Sequence, residues 1–274
     1  MSLENLILPR AILEISGDES KKFLQGLITN DIDKISENHL IYSAMLNARG
    51  AFLYDFFLFQ KDEKILIDCA ESEVDEIIKK LNFYKLRSAV EIKKSKDLLI
   101  AQSLENIGFR DCRNENLGFR IYAKKEELEK VQHKLISLNQ YHYLRISNKI
   151  AEGVFDLVKE KSFILEYGFD DLNAINYTKG CYVGQELTAR THHLGQVRKK
   201  IFNVIIDSNL EEAKENISFL KAAEILCAGE KIGIMLSSIF HENKLYGMAL
   251  IRLESYNNRK SDDLLVQNFK LSIH

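Results

Sequence analysis

What most constrains this chain is a repeated order of elements: a strand pair then a helical stripe, twice over, followed by six short strand candidates with little helix. Residues 10–16, 42–46, 52–59 and 65–67 carry the apolar runs and alternation of strands, and Asn47-Ala48-Arg49-Gly50 supplies a hairpin turn. A short helix opens at Gly17-Asp18, with Phe23, Leu24, Leu27 and Ile28 on one face. Asp18, or Ser16 with Glu19, is its expected cap. Val74, Ile77, Ile78, Leu81 and Tyr84 then recur at the spacing of a single helix face. The order returns as a strand at 118–123, a second amphipathic helix through Leu128, Val131, Leu135 and Leu138, and a third element starting at 143–146.

From Gln196 onward the strand candidates are 201–206, 224–226, 231–236, 246–251, 264–266 and 269–273, parted by turns such as 228–230 and 241–244. Short strands at close spacing predict a small C-terminal barrel, with a division near 194–200. Strand pairs followed by helices predict α+β sandwiches rather than a doubly wound fold. Neither G-x-G-x-x-G nor G-x-x-x-x-G-K-[ST] occurs, which removes the two commonest phosphate loops.

With 274 residues, 46% hydrophobic and 28% charged, the chain has the composition of a soluble globular protein. A formal net charge of -2 gives no global field for nucleic acid, so direct nucleic-acid contact would need a local patch. Cys69, Cys112, Cys181 and Cys227 are scattered without a C-x-x-C pair, against a zinc site or a disulfide framework. The first residues lack a basic region followed by a long apolar core, and no 18-residue apolar run exists. A reducing cytoplasm or organellar matrix is the expected compartment, without a membrane span.

The densest chemistry is Lys179-Gly180-Cys181-Tyr182-Val183-Gly184-Gln185-Glu186, followed by Leu187-Thr-Ala-Arg190-Thr-His192-His193. A free thiol near pKa 8.5 is only roughly 3% thiolate at pH 7. Lys179 and the start of a helix at Gly184 would both favour the anion, and the flanking glycines would let another molecule approach. A glycine-rich turn with an incidental cysteine is the bland alternative for Cys181 taken alone. His192 and His193 could pair with Cys181, but no third ligand accompanies them, and a polar turn before the barrel is the simpler reading. Arg190, Arg198, Lys199 and Lys200 form a cationic cluster that could take carboxylates or a phosphate backbone, or be a solvated face. Asn30, Asp31 and Asp55 sit near element ends, where polar residues commonly cap.

These residues resemble a known family. Residues 17–31, with Leu46-Asn47-Ala48-Arg49-Gly50 and Asp55, are similar to the amino-terminal half of the folate-binding glycine-cleavage T-protein superfamily. Residues 81–87 and the cysteine octapeptide resemble its YgfZ branch, bacterial YgfZ and the mitochondrial counterpart, and 187–193 is closest in kind to the mitochondrial form. The resemblance implies a three-part ring. Two interleaved α+β (ferredoxin-like) units occupy 1–195, a C-terminal β-barrel occupies 196–274, and a folate cavity lies at the centre.

By the same resemblance, the chain is an accessory factor for the assembly or maintenance of [4Fe-4S] proteins, including tRNA-thiolating enzymes. It would act through Cys181, framed by Lys179, Gly180, Tyr182, Gly184, Gln185 and Glu186. The implied cofactor is tetrahydrofolate or a one-carbon derivative, with Asn30, Asp31, Asp55, Arg145, Glu166 and Arg190 as candidate contacts. Cys181 could also ligate a transient iron-sulfur cluster shared with an assembly or carrier protein. The compartment is a bacterial cytoplasm, or the mitochondrial matrix in a eukaryote. Two positions bear on the alternative, a tetrahydrofolate-dependent aminomethyltransferase. Ser147 departs from the pattern, standing where those enzymes carry a pterin-binding glutamate, while Asp55 matches their catalytic aspartate. A second departure, Ile164 in place of a usual proline two residues before Glu166, concerns local backbone stiffness. A non-enzymatic role is therefore favoured.

Overall fold

The structure is a computed structural model and describes residues 2–207, 220–259 and 261–274. Two antiparallel sheets and a closed barrel share one buried core. The first sheet holds β1 (Arg10–Ser16), β2 (Ile41–Leu46), β3 (Phe52–Lys61), β4 (Lys64–Ala70) and β5 (Glu91–Lys94) in the order β2-β3-β4-β1-β5. The second holds β6 (Leu99–Ser103), β7 (Phe109–Arg110) and β8 (Phe119–Ala123) in the order β6-β8-β7. Before entering β1, the chain pairs with the second sheet through Ile7 and Ala101, which interleaves the two units.

The two faces of the first sheet differ by the alternation of its strands. Leu13, Ile15, Ile65, Ile67 and Cys69 point to a cluster that also buries Leu24 of α1 (Ser20–Gln25) and Val74, Ile77 and Leu81 of α2 (Val74–Lys85). The other face looks to the centre of the molecule. One transverse row on it runs Tyr42, Phe57, Asp68, Ile12, each directly opposite the next. A carboxylate is thereby fixed in the middle of an aromatic and aliphatic row.

The barrel closes in the order β10-β11-β12-β9-β14-β13. Its strands are β9 (Lys199–Asp207), β10 (Glu224–Cys227), β11 (Glu230–His241), β12 (Lys244–Arg252), β13 (Leu264–Val266) and β14 (Phe269–Ile273). Leu236, Met248 and Leu250 join the central cluster with Tyr42, Phe57 and Ile100 of the sheets and Tyr141 and Ile146 of a helix. No described helix is long and apolar enough to cross a membrane.

Three expectations need correction. The stripe Leu128–Leu138 is not one helix: α3 (Lys125–Lys130) ends, Leu135 bridges to Ser103, and α4 (Leu138–Ser147) starts afresh with Ser137 accepting from Gln140 N at 3.2 Å. Residues 143–146 therefore lie inside α4 rather than starting an element. The first helix begins at Ser20 and ends at Gln25, short of Leu27 and Ile28, and neither Asp18 nor Ser16 caps it. Glu19 instead reaches out of the helix and accepts from Ala89 N at 2.7 Å. The two histidines form no turn: they end α6 (Gln185–Leu194).

Candidate functional site

Cys181 sits at the tip of a loop tied down on both sides. Upstream, Asn176 N donates to Thr29 O (3.0 Å), and Asn176 Oδ1 accepts from Thr178 N (2.8 Å) and Lys179 N (3.0 Å). Lys179 Nζ then donates to the carbonyls of Gln25, Ile28 and Asn30 at 2.8, 2.7 and 2.8 Å. Gln25 is the last residue of α1 and Ile28 and Asn30 lie in the segment after it, so the ammonium gathers one helix-end carbonyl and two from the following turn. Burial lowers Lys179 to about 8 against the pull of Asp31 and Asp33.

Downstream, Val183 N donates to Gly26 O at 3.0 Å, and Gln185 Oε1 accepts from Tyr182 N at 3.0 Å. Gly184, at φ +82°, is the residue before α6, and its position permits no side chain: a Cβ would lie 2.3 Å from Asn47 O. The hairpin turn 47–50 and the thiol loop are therefore built against each other. Between these anchors, Gly180 faces open space and Cys181 is exposed with no hydrogen-bond partner among the described residues. The octapeptide is thus a clamp that presents one thiol. All three protons of the Lys179 ammonium hold the loop, so its hydrogen bonds go to backbone carbonyls and none to Cys181.

The remaining sequence candidates are dispersed. Arg190 pairs with Glu186 at 2.7 Å on the exposed side of α6, and Lys199 pairs with Glu166 at 3.0 Å. His192 stacks on Tyr177 at 3.8 Å with His193 edge-on to the same ring, and no cluster of three metal-ligating side chains exists among the described residues. Asn30 Nδ2 donates to Tyr42 O (2.9 Å) and Asn173 O (2.8 Å), while Asp31 accepts from Gln25 Nε2 at 2.8 Å. Arg145 donates to Asp156 (2.8 Å), His142 Nδ1 (3.0 Å) and Ser237 Oγ (2.6 Å), which ties α4 to the barrel.

Asp55 is sealed, accepting from the Tyr42 hydroxyl and from Gly153 N at 3.1 Å. Burial raises its carboxyl above the usual range, against the influence of Arg10 and the Tyr42 hydroxyl. Gly153 comes so close that a Cβ would meet Asp55 Oδ1 at 2.3 Å. Ser147 turns back onto its own helix, to Tyr143 O at 2.8 Å.

What sequence reasoning missed is a buried lattice of three arginines and three carboxylates around the Phe57 ring. Asp68 accepts from Arg10, from Arg120 Nη2 (2.7 Å) and from the Tyr122 hydroxyl (2.9 Å). Arg113 grips Asp111 with two bonds, at 2.9 and 2.8 Å, and reaches Glu152 Oε1 at 2.6 Å. The guanidinium carbons of Arg120, Arg113 and Arg10 lie 4.1, 4.6 and 5.6 Å from the centre of Phe57. Burial works against ionised Asp68, but Arg10 and Arg120 overcome it and hold its carboxyl below the usual range. The local sequence signals were an aspartate ending the apolar run 65–67 and the Asp111-Cys112-Arg113 triplet.

One wall of this lattice opens on a cavity of about 410 Å³ between the start of β1, the end of β4, α4 and α5 (Gly153–Asp156). Leu8, Pro9, Leu138, Val154 and Phe155 make it largely apolar, and Arg10, Tyr141, His142 and Glu152, with Glu71 and Ser72, supply its polar groups. Glu152 spends Oε1 on Arg113 and the Tyr141 hydroxyl, and Oε2 has no hydrogen-bond partner among the described residues. Burial raises Glu152, but Arg113, then Arg145 and Arg10, hold it well below the ordinary carboxylate range. None of the six sequence-derived folate candidates lines this cavity.

No protein-family model matches the chain. It is 32% identical over 227 residues to the human mitochondrial iron-sulfur cluster assembly factor IBA57, covering 71% of this chain and 64% of that protein. The mouse protein of the same name is 29% identical over 279 residues, covering 90% of this chain and 76% of that protein. Its homologues are iron-sulfur cluster assembly factors of the IBA57 type. The IBA57 homologue of Mycosarcoma maydis is 29% identical over 218 residues, but the match spans only 54% of that relative. The match to some IBA57 relatives thus spans little more than half of their length. Among solved structures, the aminomethyltransferase T of the glycine cleavage system of Bartonella henselae superposes with a TM-score of 0.73. It covers 98% of this chain and 84% of that chain at 13% identity, so the IBA57-type chain has the T-protein fold.

Proposed function

We propose that this protein is an accessory factor for the assembly or maintenance of [4Fe-4S] proteins, tRNA-thiolating enzymes among them, and that it acts through Cys181. The observation that carries the reading is an exposed, unpartnered thiol on a loop whose two flanks are pinned. A soft thiolate so presented can ligate iron, but one ligand does not hold a cluster. A second protein, an assembly or carrier protein, must supply the others. The names of the relatives support this role, and their mitochondrial setting favours the matrix over a bacterial cytoplasm as its compartment.

We further propose that tetrahydrofolate or a one-carbon derivative binds in the cavity beside Glu152. The amide and amino N–H groups of a pterin match a carboxylate with a free oxygen, and Phe155 and Leu138 offer apolar surface to a flat ring. A reduced folate bound there supplies a one-carbon carrier. Glu152 and Arg10 orient it, and the apolar wall excludes water. Glycine-cleavage aminomethyl transfer is the weaker reading, because Asp55 is buried behind Gly153 and Ser147 is spent on its own helix.

Anaerobic reconstitution with iron, sulfide and a carrier protein, comparing wild type with Cys181→Ser, tests the role. The serine variant should fold normally, give no shared cluster and fail to restore [4Fe-4S] enzyme activity in deficient cells. Full restoration by that variant would overturn the reading. Calorimetric titration with tetrahydrofolate, and its loss in Glu152→Gln, tests the cavity separately.

A further inference from the structure

The end of α2 presents two apolar side chains to solvent: Phe83 is 70% exposed and Leu86 is 86% exposed. On the helix, Phe83 has Lys79 and Lys80 as its neighbours at four and three residues back, while Leu86 and Arg87 follow directly on the helix end. Residues 79–87 carry four cations, with Lys85 the fourth, and no acid. None of the four forms an ion pair among the described residues; of the two acids one turn back, Asp75 and Glu76, the second is taken by Lys159 at 2.6 Å. Leu86 has φ +47° and ψ -108°, a conformation that side-chain-bearing residues rarely adopt, and the strain holds a leucine outward rather than in the core.

This surface is joined to the thiol loop by α1. Ahead of that helix, Gly17 packs so closely on Ala89 that a Cβ would lie 2.2 Å from its carbonyl oxygen, and Glu19 accepts from Ala89 N. At its far end, Gln25 and Gly26 receive Lys179 Nζ and Val183 N. The six residues of α1 span about 9 Å. Tyr84, edge-on to Phe83 at 5.4 Å, and Val183 pack against the same buried cluster.

We propose that the end of α2, Phe83 and Leu86 within Lys79, Lys80, Lys85 and Arg87, is a docking surface for a protein with an apolar hollow rimmed by carboxylates. Unpaired cations around two apolar anchors select an acidic rim, and they steer the encounter electrostatically. Two anchors are too little apolar surface to hold a membrane. The proposal rests on the reading of Cys181 only in giving the docked protein its task.

The test places a photo-crosslinking benzoylphenylalanine at position 83 of the full chain in its native cells and identifies the adduct by mass spectrometry. The identified protein is then purified and titrated against wild type, Phe83→Ser, Lys79→Glu with Lys85→Glu, and Cys181→Ser. The expected result is an acidic protein whose affinity falls at least tenfold with Phe83→Ser and with the charge reversal, weakens with salt, and is kept in Cys181→Ser. An adduct with lipid, with a second copy of this chain or with no protein would overturn the proposal. So would a partner that binds the charge-reversed variant unchanged. If docking is intact but Cys181→Ser still supports cluster enzymes, the role of the thiol fails and the docking surface stands.

Discussion

Gly50 and Gly184 lie back to back: a Cβ built on Gly184 would be 3.2 Å from Gly50 Cα, and one built on Gly50 would be 3.0 Å from Gly184 O. Two segments 134 positions apart, the hairpin turn and the entry to α6, are each glycine because of the other. Both also have positive φ, so alanine is opposed by conformation as well as by space. Gly184→Ala should cost roughly 2–4 kcal/mol. Urea unfolding measures the loss, and selective proteolysis near 176–184 shows whether the loop lifts first. An unchanged midpoint would mean that the hairpin can retreat.

Lys179→Met should free the same loop by a different route. Three carbonyls lose a charged donor, which predicts a loss of about 2–4 kcal/mol, whereas Glu186→Ala breaks an exposed pair and should cost less than about 0.5 kcal/mol. Hydrogen exchange at Val183 and Tyr182 should rise in the first variant and stay at the wild-type rate in the second.

Asp68→Asn takes from Arg10 its ion-pair partner and leaves Arg120 only Asp111, at 3.8 Å, in a dry interior. The expected cost is about 3–5 kcal/mol, read from chemical denaturation. Asp68→Leu would not repair it, because both guanidiniums remain buried.

His142 gives the fold an acid limit. Burial and then the charge of Arg145 lower it to about 4, and its Nδ1 accepts from Arg145 Nε at 3.0 Å, which needs the neutral ring. Between about 6.5 and about 4 the unfolded chain takes up a proton that the folded chain refuses. Stability should therefore fall with pH across that window, by up to about 3 kcal/mol. His142→Gln keeps an acceptor for Arg145 and should flatten that part of the curve. An identical pH curve for the two proteins would refute the assignment.

The elements legible in the sequence were those set by local periodicity. Strands 10–16, 42–46 and 52–59, the stripe of α2 and all six barrel strands follow alternation or the helical repeat. The false helix through Leu128–Leu138 shows where periodicity misleads. Leu135 has the right spacing but a strand partner in Ser103, and the restart was written as Ser137-x-x-Gln140. At the candidate site, the clamp around Cys181 was visible as a motif, but the partner of Lys179 was not. Its three carbonyls lie about 150 residues upstream, and backbone atoms carry no sequence signature. The arginine lattice was hidden for a related reason. Arg10, Asp68, Arg113 and Glu152 look like ordinary surface charges until two sheets are set face to face.

That lattice also limits how the molecule can come apart. Asp68 and Arg10 belong to the first sheet and Arg120 to the second, so parting the sheets leaves Asp68 with Arg10 alone and takes from Arg120 its nearer carboxylate. Neither sheet can persist as a fragment without exposing a half-neutralised seam to collapse or water. The amino-terminal two-thirds of the chain should therefore open as one cooperative unit, and a proteolytic fragment ending before β8 should have no stable fold of its own.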